Sequence, residues 1–238
     1  GRPGPVLVDL PKDVAQGMAE YVPPETGLHR LKEPSYFPDG EALEKVLCML
    51  REAKRPVVLI GGGVILGRAS EELRAFVRKA GLPITSTLMG LGAYPGTDPL
   101  SLGMLGMHGT YYANMAVSHA DLLVSVGVRF DDRVTGRLSD FARGAKIVHI
   151  DIDPASINKN VTVDLAIVSD SRTALHQLNQ MLEREGKAFS GDRYGEWHKQ
   201  IEEWKAYAPL SYCPGEKIKP QCVIETLYRL TKGDAIVA

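Results

Sequence analysis

Two arginines and two aspartates lie within five consecutive residues of the sequence, at Arg129, Asp131, Asp132 and Arg133. The planar guanidinium fork of arginine binds phosphate and carboxylate groups through paired hydrogen bonds. The segment follows the apolar run 122–126, so it would stand at the end of a buried strand. It indicates an anion-binding site, and the alternative is a structural network of ion pairs.

A glycine turn is the second feature that could do chemistry. Gly61, Gly62 and Gly63 follow the apolar run 56–60, with Gly67 shortly after them. Glycines let a phosphate or a flavin approach the backbone closely, and the next helix would offer its N-terminal amides. A tight strand-to-helix turn without any ligand would have the same sequence.

The turn departs from the strict dinucleotide fingerprint. Counted from Gly61, the third glycine of that motif would stand where this chain has Leu66. About twenty residues further on, the acidic residue that binds an NAD ribose is missing, and Thr85, Ser86 and Thr87 stand there instead. NAD binding of the usual kind is therefore disfavoured.

Three further positions could contact a ligand. Residues 102–109 form an apolar, glycine-containing segment with Met107 and His108, which is either a close-approach loop or a buried connection. Asp151 and Asp170 follow later apolar runs, where a carboxylate can accept hydrogen bonds from ribose hydroxyls. Helix capping explains Asp170 equally well, and the same holds for Asp153-Pro154.

These segments have a similar place in the predicted fold, because they follow apolar runs that are predicted to be buried strands. Such runs lie at 56–60, 83–85, 122–126, 147–152 and 163–168, with helical periodicity between several of them. Strands alternating with helices predict an α/β fold with a doubly wound, Rossmann-like parallel sheet. Ligands of such sheets bind outside the carboxyl ends of the strands. Four successive strand ends therefore predict a nucleotide-sized site.

Apolar periodicity of the helical kind marks the elements that flank the strands. One helix would be capped by Asp39. The predicted buried faces are Leu43, Val46, Leu47 and Leu50; Leu73, Phe76, Val77 and Ala80; Ala174, Leu175, Leu178 and Leu182; Trp197, Ile201, Trp204 and Ala208; and Val223, Leu227 and Leu230. Residues 6–10 read as a short strand, and 236–238 as a strand cut short.

Composition narrows the class of protein. The 238 residues are 44% hydrophobic and 24% charged, with a net charge of −1, which is typical of a globular protein with a real core. No basic run suits nucleic acid, and no apolar stretch approaches the roughly 20 residues of a membrane helix. Three cysteines without CxxC spacing favour a reducing compartment and argue against a zinc site. The absence of an initiator Met suggests an excised piece, in which a targeting peptide would be invisible.

In this order, the segments resemble the large subunit of the acetolactate (acetohydroxyacid) synthase family, which uses thiamine diphosphate. The matching stretches are GRPGPVLVDLPKDV (1–14), KRPVVLIGGGV (54–64), TLMGLGAYP (87–95), SLGMLGMHGTYYAN (101–114), DLLVSVGVRFDDRVTG (121–136) and KIVHIDIDPASINK (146–159). The resemblance covers nearly the whole chain and is weakest from 186 to 220.

The resemblance implies five parts of the chain: the tail of a pyrimidine-binding domain (1–14), a linker (15–38), a central FAD-binding α/β domain (39–186), a connector with a helix (187–220) and the start of a pyrophosphate-binding domain (221–238). It implies that FAD contacts Arg2, Gly61, Gly62, Gly63, Thr87, Leu88, Met107, His108, Gly127, Arg129, Asp131, Arg133, Val134, Asp151, Ile152 and Asp170. Lys12 would line the channel to the active site, and Arg133 would also recognise the second 2-keto acid. Met107 and Asp132 match positions associated with sulfonylurea- and imidazolinone-type inhibitors.

The implied reaction joins two pyruvates, or pyruvate and 2-ketobutyrate, with loss of CO2, in branched-chain amino acid biosynthesis. Thiamine diphosphate and magnesium would bind largely outside this chain, so the chain alone would be inert and would hold no metal. Expected partners are 2-keto acids, further copies of the subunit and a regulatory subunit, but no nucleic acid or membrane. The location would be the bacterial cytoplasm or an organelle. The alternatives are a non-catalytic nucleotide-binding module and another FAD-containing carboligase, such as glyoxylate carboligase.

Overall fold

A parallel sheet of six strands forms the centre of the computed structural model, which describes residues 5, 7–21, 36–189 and 193–236. The strands are β1 (Pro56–Ile60), β2 (Ile84–Ser86), β3 (Ser101–Met104), β4 (Leu122–Val126), β5 (Lys146–Asp151) and β6 (Leu165–Val168). Their order across the sheet is β3-β2-β1-β4-β5-β6, and every neighbouring pair is parallel. The order reverses between β1 and β4, where open α/β sheets bind their ligands. The predicted α/β, doubly wound sheet is confirmed.

Nine α-helices accompany the sheet in the described part of the chain. They are α1 (Lys12–Gln16), α2 (Gly40–Glu52), α3 (Gly62–Leu66), α4 (Ser70–Ala80), α5 (Tyr111–His119), α6 (Asp132–Thr135), α7 (Ser171–Glu185), α8 (Gly195–Tyr207) and α9 (Pro220–Thr231). None of the helices in these ranges is long and apolar enough to span a bilayer.

The two central strands are buried along their whole length. All five residues of β1 and all five of β4 are buried, and they pair in register, with Val58 opposite Val124. Helices cover both faces of such a sheet, which is why these strands read as continuous apolar runs instead of alternating ones.

The predicted apolar faces of α2, α4 and α7 form the helical half of the core. The side chain of Asp39 accepts a hydrogen bond from the amide of Glu41, so the predicted cap of α2 is confirmed. Gly81 ends α4 in the left-handed conformation, with φ of 64°, which glycine adopts without strain. All twelve predicted core positions of these three helices are buried.

Two predictions at the level of elements are wrong. Residues 7–10 form no strand; their side chains are exposed, and a short helix follows at α1. Residues 101–104 form a strand, β3, whereas the sequence predicts a close-approach loop or a buried connection over 102–109. Its glycines weaken a strand pattern, but pairing with β2 supplies the backbone hydrogen bonds that propensity does not.

The first part of the predicted connector packs firmly on the sheet. In α8, Trp197 and Ile201 are buried, and the indole N–H of Trp197 donates to the carbonyl of Pro56 at 3.1 Å. Just before α8, the hydroxyl of Tyr194 donates to the carbonyl of Leu50 at 2.9 Å. By contrast α9 contains no buried residue, and Val223 is 48% exposed.

Candidate functional site

The glycine turn after β1 lies against the turn after β4. A Cβ built on Gly61 would stand 2.3 Å from the carbonyl oxygen of Gly127, and one built on Gly63 would stand 2.6 Å from the Cα of Gly127. The amide of Gly63 donates to that same carbonyl oxygen at 3.1 Å. Contact between the two backbones therefore requires glycine at 61 and 63, whether or not a ligand is near.

The segment after β3 lies against the arginine-rich segment after β4. The amide of Met107 donates to the carbonyl of Arg133 at 3.0 Å, and a Cβ on Gly106 would stand 2.3 Å from the same oxygen. The Arg133 guanidinium comes within 3.8 Å of the Met107 sulfur. Two predicted site segments, far apart in sequence, thus form one surface.

The two arginines differ in how far the protein neutralises them. Arg129 pairs with Asp131 at 2.6 Å, whereas Arg133 lies 3.9 Å from Asp132 and its side chain is 70% exposed. The pKa of Asp131 is lowered, first by a hydrogen bond with the Asp132 side chain and then by the Arg133 amide and the charges of Arg129 and Arg133. The ion-pair interpretation is confirmed for Arg129 and Asp131. Anion binding stays a prediction, for which the exposed Arg133 guanidinium has the donors.

The carboxylates after β5 and β6 make backbone hydrogen bonds. Asp151 accepts from the amide of Asp153 at 2.8 Å, and Asp170 accepts from the amide of Thr173 at 2.9 Å as the cap of α7. The next residue, Ser171, donates its hydroxyl to the carbonyl of Gly63 at 3.2 Å, which fixes the start of α7 beside the glycine turn. The capping interpretation of Asp170 is therefore confirmed, and its contact with a ligand stays a prediction.

Exposed apolar side chains surround the same edge of the sheet. After β2, Leu88 is 67% and Met89 is 72% exposed, and the β-carbon of Met89 lies close to Gly62. Met107 after β3 is 66% exposed. Large apolar groups held in water beside cationic donors suit a ligand with a flat aromatic part and an anionic part. Met89 is not among the site residues predicted from the sequence.

A buried histidine that the sequence analysis missed joins β5 to the turn after β4. His149 is fully buried, and its Nε2 donates to the carbonyl of Val128 at 2.7 Å. Its ring packs edge-on against Phe130, with 4.9 Å between centroids, and Nε2 lies 3.8 Å from the Asp151 carboxylate. Burial lowers the pKa of His149 despite the nearby carboxylate. A histidine inside an apolar strand was the available sequence signal.

The remaining predicted site residues differ in their placement, and His108, directly after Met107, is exposed. Thr87 joins the site, because its amide donates to the carbonyl of Ile60 at 2.8 Å, and Val134 and Ile152 lie half-buried beside their strand ends. Arg2 lies outside the described residues. Lys12 is exposed at the start of α1 and forms no ion pair with another described residue.

No group of three histidine, cysteine, aspartate or glutamate side chains is placed to hold a metal ion among the described residues. The strand-end surface offers arginine donors, backbone amides at turns, carboxylates and exposed apolar side chains. This donor set fits an elongated, anionic ligand with aromatic ends, such as a dinucleotide.

A comparison of the chain with known protein families identifies the family to which it belongs. Residues 43–178, more than half of the chain, match the family model of the thiamine pyrophosphate enzyme central domain. The chain belongs to this family. The chain spans only 37% to 42% of the length of the relatives described next.

Three similar proteins are acetolactate synthases. Acetolactate synthase 1, chloroplastic, of Oryza sativa subsp. japonica is 50% identical over the whole chain, which covers 37% of that relative. The isozyme 3 large subunit of Escherichia coli (strain K12) is 48% identical over the whole chain, which covers 42% of it. The large subunit from Buchnera aphidicola is 42% identical, again over the whole chain and 42% of the relative.

Proposed function

We propose that this chain is the FAD-binding central part of an acetolactate synthase, a thiamine-diphosphate enzyme. The whole enzyme would condense two pyruvates to 2-acetolactate, or pyruvate and 2-ketobutyrate to 2-aceto-2-hydroxybutyrate, with release of CO2. Relatives about half identical over the entire chain support the family of the reaction. The FAD site itself is argued from the residues at the strand ends.

One observation carries the cofactor proposal. The hydrogen bond from the Met107 amide to the Arg133 carbonyl unites the apolar segment after β3 with the arginine segment after β4, one of the two strands between which the strand order reverses. An aromatic ring system and a diphosphate could therefore be bound by neighbouring side chains of one surface. A ligand with only one of these parts would leave the other half of the surface unused.

Each part of the cofactor would meet a matching group. Arg129 and Arg133 would bind the diphosphate, and Met107 and Leu88 would contact the flavin ring. Asp151 and Asp170, after β5 and β6, would accept hydrogen bonds from the adenosine half. When bound, FAD would supply a structural support, because joining two 2-keto acids with loss of CO2 involves no net oxidation. Arg133 would also bind the carboxylate of the second 2-keto acid.

The chemical step would need groups that these residues do not supply. Thiamine diphosphate carries the decarboxylation, and the protein positions it. We expect the isolated chain to form no acetolactate from pyruvate when thiamine diphosphate, Mg²⁺ and FAD are added. The whole enzyme would be a homo-oligomer with a regulatory subunit. It would lie in the bacterial cytoplasm or in an organelle, which for the Oryza sativa relative is the chloroplast.

A flavin titration tests the cofactor proposal. The fluorescence of FAD should be quenched when FAD binds to the chain, and the quenching should saturate. FAD should also raise the unfolding temperature of the chain, because it binds only the folded state. The R129A variant should bind FAD about tenfold more weakly, since a charge-assisted contact to phosphate is lost. NAD should have no effect on the unfolding temperature.

The matched control is R143A. Arg143 is also exposed and paired with an aspartate, Asp140, at 2.5 Å, but it precedes β5 and so lies toward the opposite edge of the sheet. Its removal should leave FAD affinity unchanged. A folded wild-type chain that does not bind FAD, or equal losses in the two variants, would show that the strand-end surface is not a flavin site.

A further inference from the structure

One side chain outside the predicted site holds the segment after β3 in place. The carboxamide of Asn114, in the first half of α5, makes two hydrogen bonds with a single residue, Gly106. Its Oδ1 accepts from the Gly106 amide at 2.8 Å, and its Nδ2 donates to the Gly106 carbonyl at 3.1 Å. The carboxamide thus pairs with the backbone as a peptide group of a neighbouring strand would.

Gly106 needs such a partner because of its place in the fold. It follows β3, an edge strand of the sheet, so no strand lies beyond it to pair with its backbone. Its φ of +93° lies in the left-handed region, which glycine adopts without strain. Backbone groups that are withdrawn from water require partners. Asn114 provides the acceptor for the Gly106 amide, and it shares the Gly106 carbonyl with the Gly109 amide, which donates to that carbonyl at 3.0 Å.

The hydrogen bonds continue from Gly106 to the proposed flavin site. The next amide, that of Met107, donates to the Arg133 carbonyl, and Gly106 itself is in backbone contact with Arg133. A shift of Gly106 would move both Met107 and Arg133. Among the described residues, the hydrogen bonds of the Asn114 side chain go to Gly106 and not to Met107 or Arg133.

We propose that Asn114 is a positioning residue of the flavin site, which sets the positions of Met107 and Arg133 through the backbone of Gly106. This rests on the proposed function, because FAD is the ligand whose binding would depend on the position. Loss of the clamp should weaken FAD binding without removing any group that contacts FAD.

The N114D variant tests the proposal through pH. A carboxylate keeps the acceptor for the Gly106 amide but places a negative oxygen against the Gly106 carbonyl, so FAD affinity at about pH 8 should fall about tenfold. A protonated carboxyl has the shape of a carboxamide and can donate again. The affinity relative to wild type should therefore recover as the pH is lowered to about 5, since burial and the facing carbonyl favour the neutral form.

The matched control is N179D. Asn179 is buried and its Nδ2 also donates to a backbone carbonyl, that of Glu72 at 2.8 Å, but it joins α7 to α4 away from the segment after β3. This variant should lose stability while keeping the wild-type FAD affinity at both pH values. Hydrogen exchange of the Gly106 and Met107 amides, measured without FAD, should accelerate in N114D alone.

The outcomes separate the two proposals. Wild-type FAD affinity in N114D at both pH values, or an equal loss in N179D, would overturn the positioning role of Asn114. Unchanged exchange of the Gly106 and Met107 amides in N114D would overturn it as well. A wild-type chain that binds no FAD would refute the flavin site and the role of Asn114 towards it together, while the exchange data would still show whether Asn114 holds the segment.

Discussion

At the scale of single residues, His149 shows how one buried side chain can tie two strand ends together. It donates to the turn that carries Arg129 while standing two residues before Asp151 on β5. The second ring nitrogen, Nδ1, is buried without a hydrogen-bond partner among the described residues. A proton added there would place an unsolvated charge in the core, so the neutral form is the one that folds.

The stability of the chain should therefore depend on pH through His149. Its pKa in the folded state lies below the ordinary 6.5, so the unfolded chain binds this proton more readily. The contribution to stability is complete above about pH 6.5 and is lost as the pH falls from there through the lower folded-state pKa. Urea unfolding between about pH 8 and pH 5 should show this loss in the wild type.

The H149Q variant provides the comparison. It should be less stable at about pH 8 by about 1–3 kcal/mol, because the hydrogen bond to Val128 is disturbed. Its stability should then fall less steeply than that of the wild type as the pH is lowered. Parallel curves for the two proteins would show that another group causes the acid sensitivity.

At the scale of elements, the glycine turn after β1 is shaped by the turn it meets. Sequence alone leaves open whether a ligand or a tight strand-to-helix turn explains the three successive glycines, and two of them are required by the contact with Gly127. At Gly62 a Cβ would meet Met89 instead, with the Met89 β-carbon at 3.1 Å and its carbonyl oxygen at 3.4 Å. Such contacts join residues from separate βα units, and no local pattern records them.

The difference between two helix-start glycines can be measured. In α3, G63A would place a Cβ against the Gly127 backbone, and it should cost about 1–3 kcal/mol of unfolding free energy because neither backbone can move freely. In α2, G40A meets nothing within 4 Å and should be neutral or slightly stabilising, since alanine favours a helix. Thermal unfolding of both variants checks this, and similar values for the two would contradict the backbone contact.

The sequence predicts the strands and the larger helices well because their burial is continuous or periodic. Leu122–Val126 reads correctly as a strand because all five residues are apolar or small and lie between helices. The sequence predicts β3 poorly, because Gly103 interrupts it and pairing with β2 sustains it. The same holds for the candidate site. Residues at strand ends, such as Arg129, can be predicted from the sequence because they follow apolar runs. Asn114 and His149 cannot be predicted in this way, because they act through hydrogen bonds to backbone that is distant in sequence.

At the scale of the whole molecule, the helix after residue 194 belongs to the packed body even though it was expected within a connector. Three side chains at the start of this helix or just before it hydrogen-bond to backbone carbonyls of other elements. Tyr194 bonds to Leu50 near the end of α2, Trp197 bonds to Pro56 at the start of β1, and His198 bonds to Gly81 directly after α4. Trp197 and Trp204 are the two tryptophans of the chain, and both lie on α8.

Unfolding should therefore be cooperative across α8 and the sheet. Tryptophan fluorescence reports α8, far-UV circular dichroism reports all elements, and their urea transitions should coincide. W197F, which leaves the Pro56 carbonyl without its indole partner, should shift both transitions together to lower urea. A fluorescence transition that precedes the circular dichroism transition would mark α8 as a separate unit.

The strand order also fixes when the strand-end surface can come into existence during synthesis. β1 and β4 are neighbours in the sheet, but β2, β3 and α5 lie between them along the chain. The N-terminal part of a nascent chain leaves the ribosome first, so the Gly61–Gly63 turn lacks its contact with Gly127 until Gly127 has been synthesised. Ser171, which bonds to the same turn, is synthesised later still. A ligand of this edge can therefore bind only to a chain in which β6 has already left the ribosome.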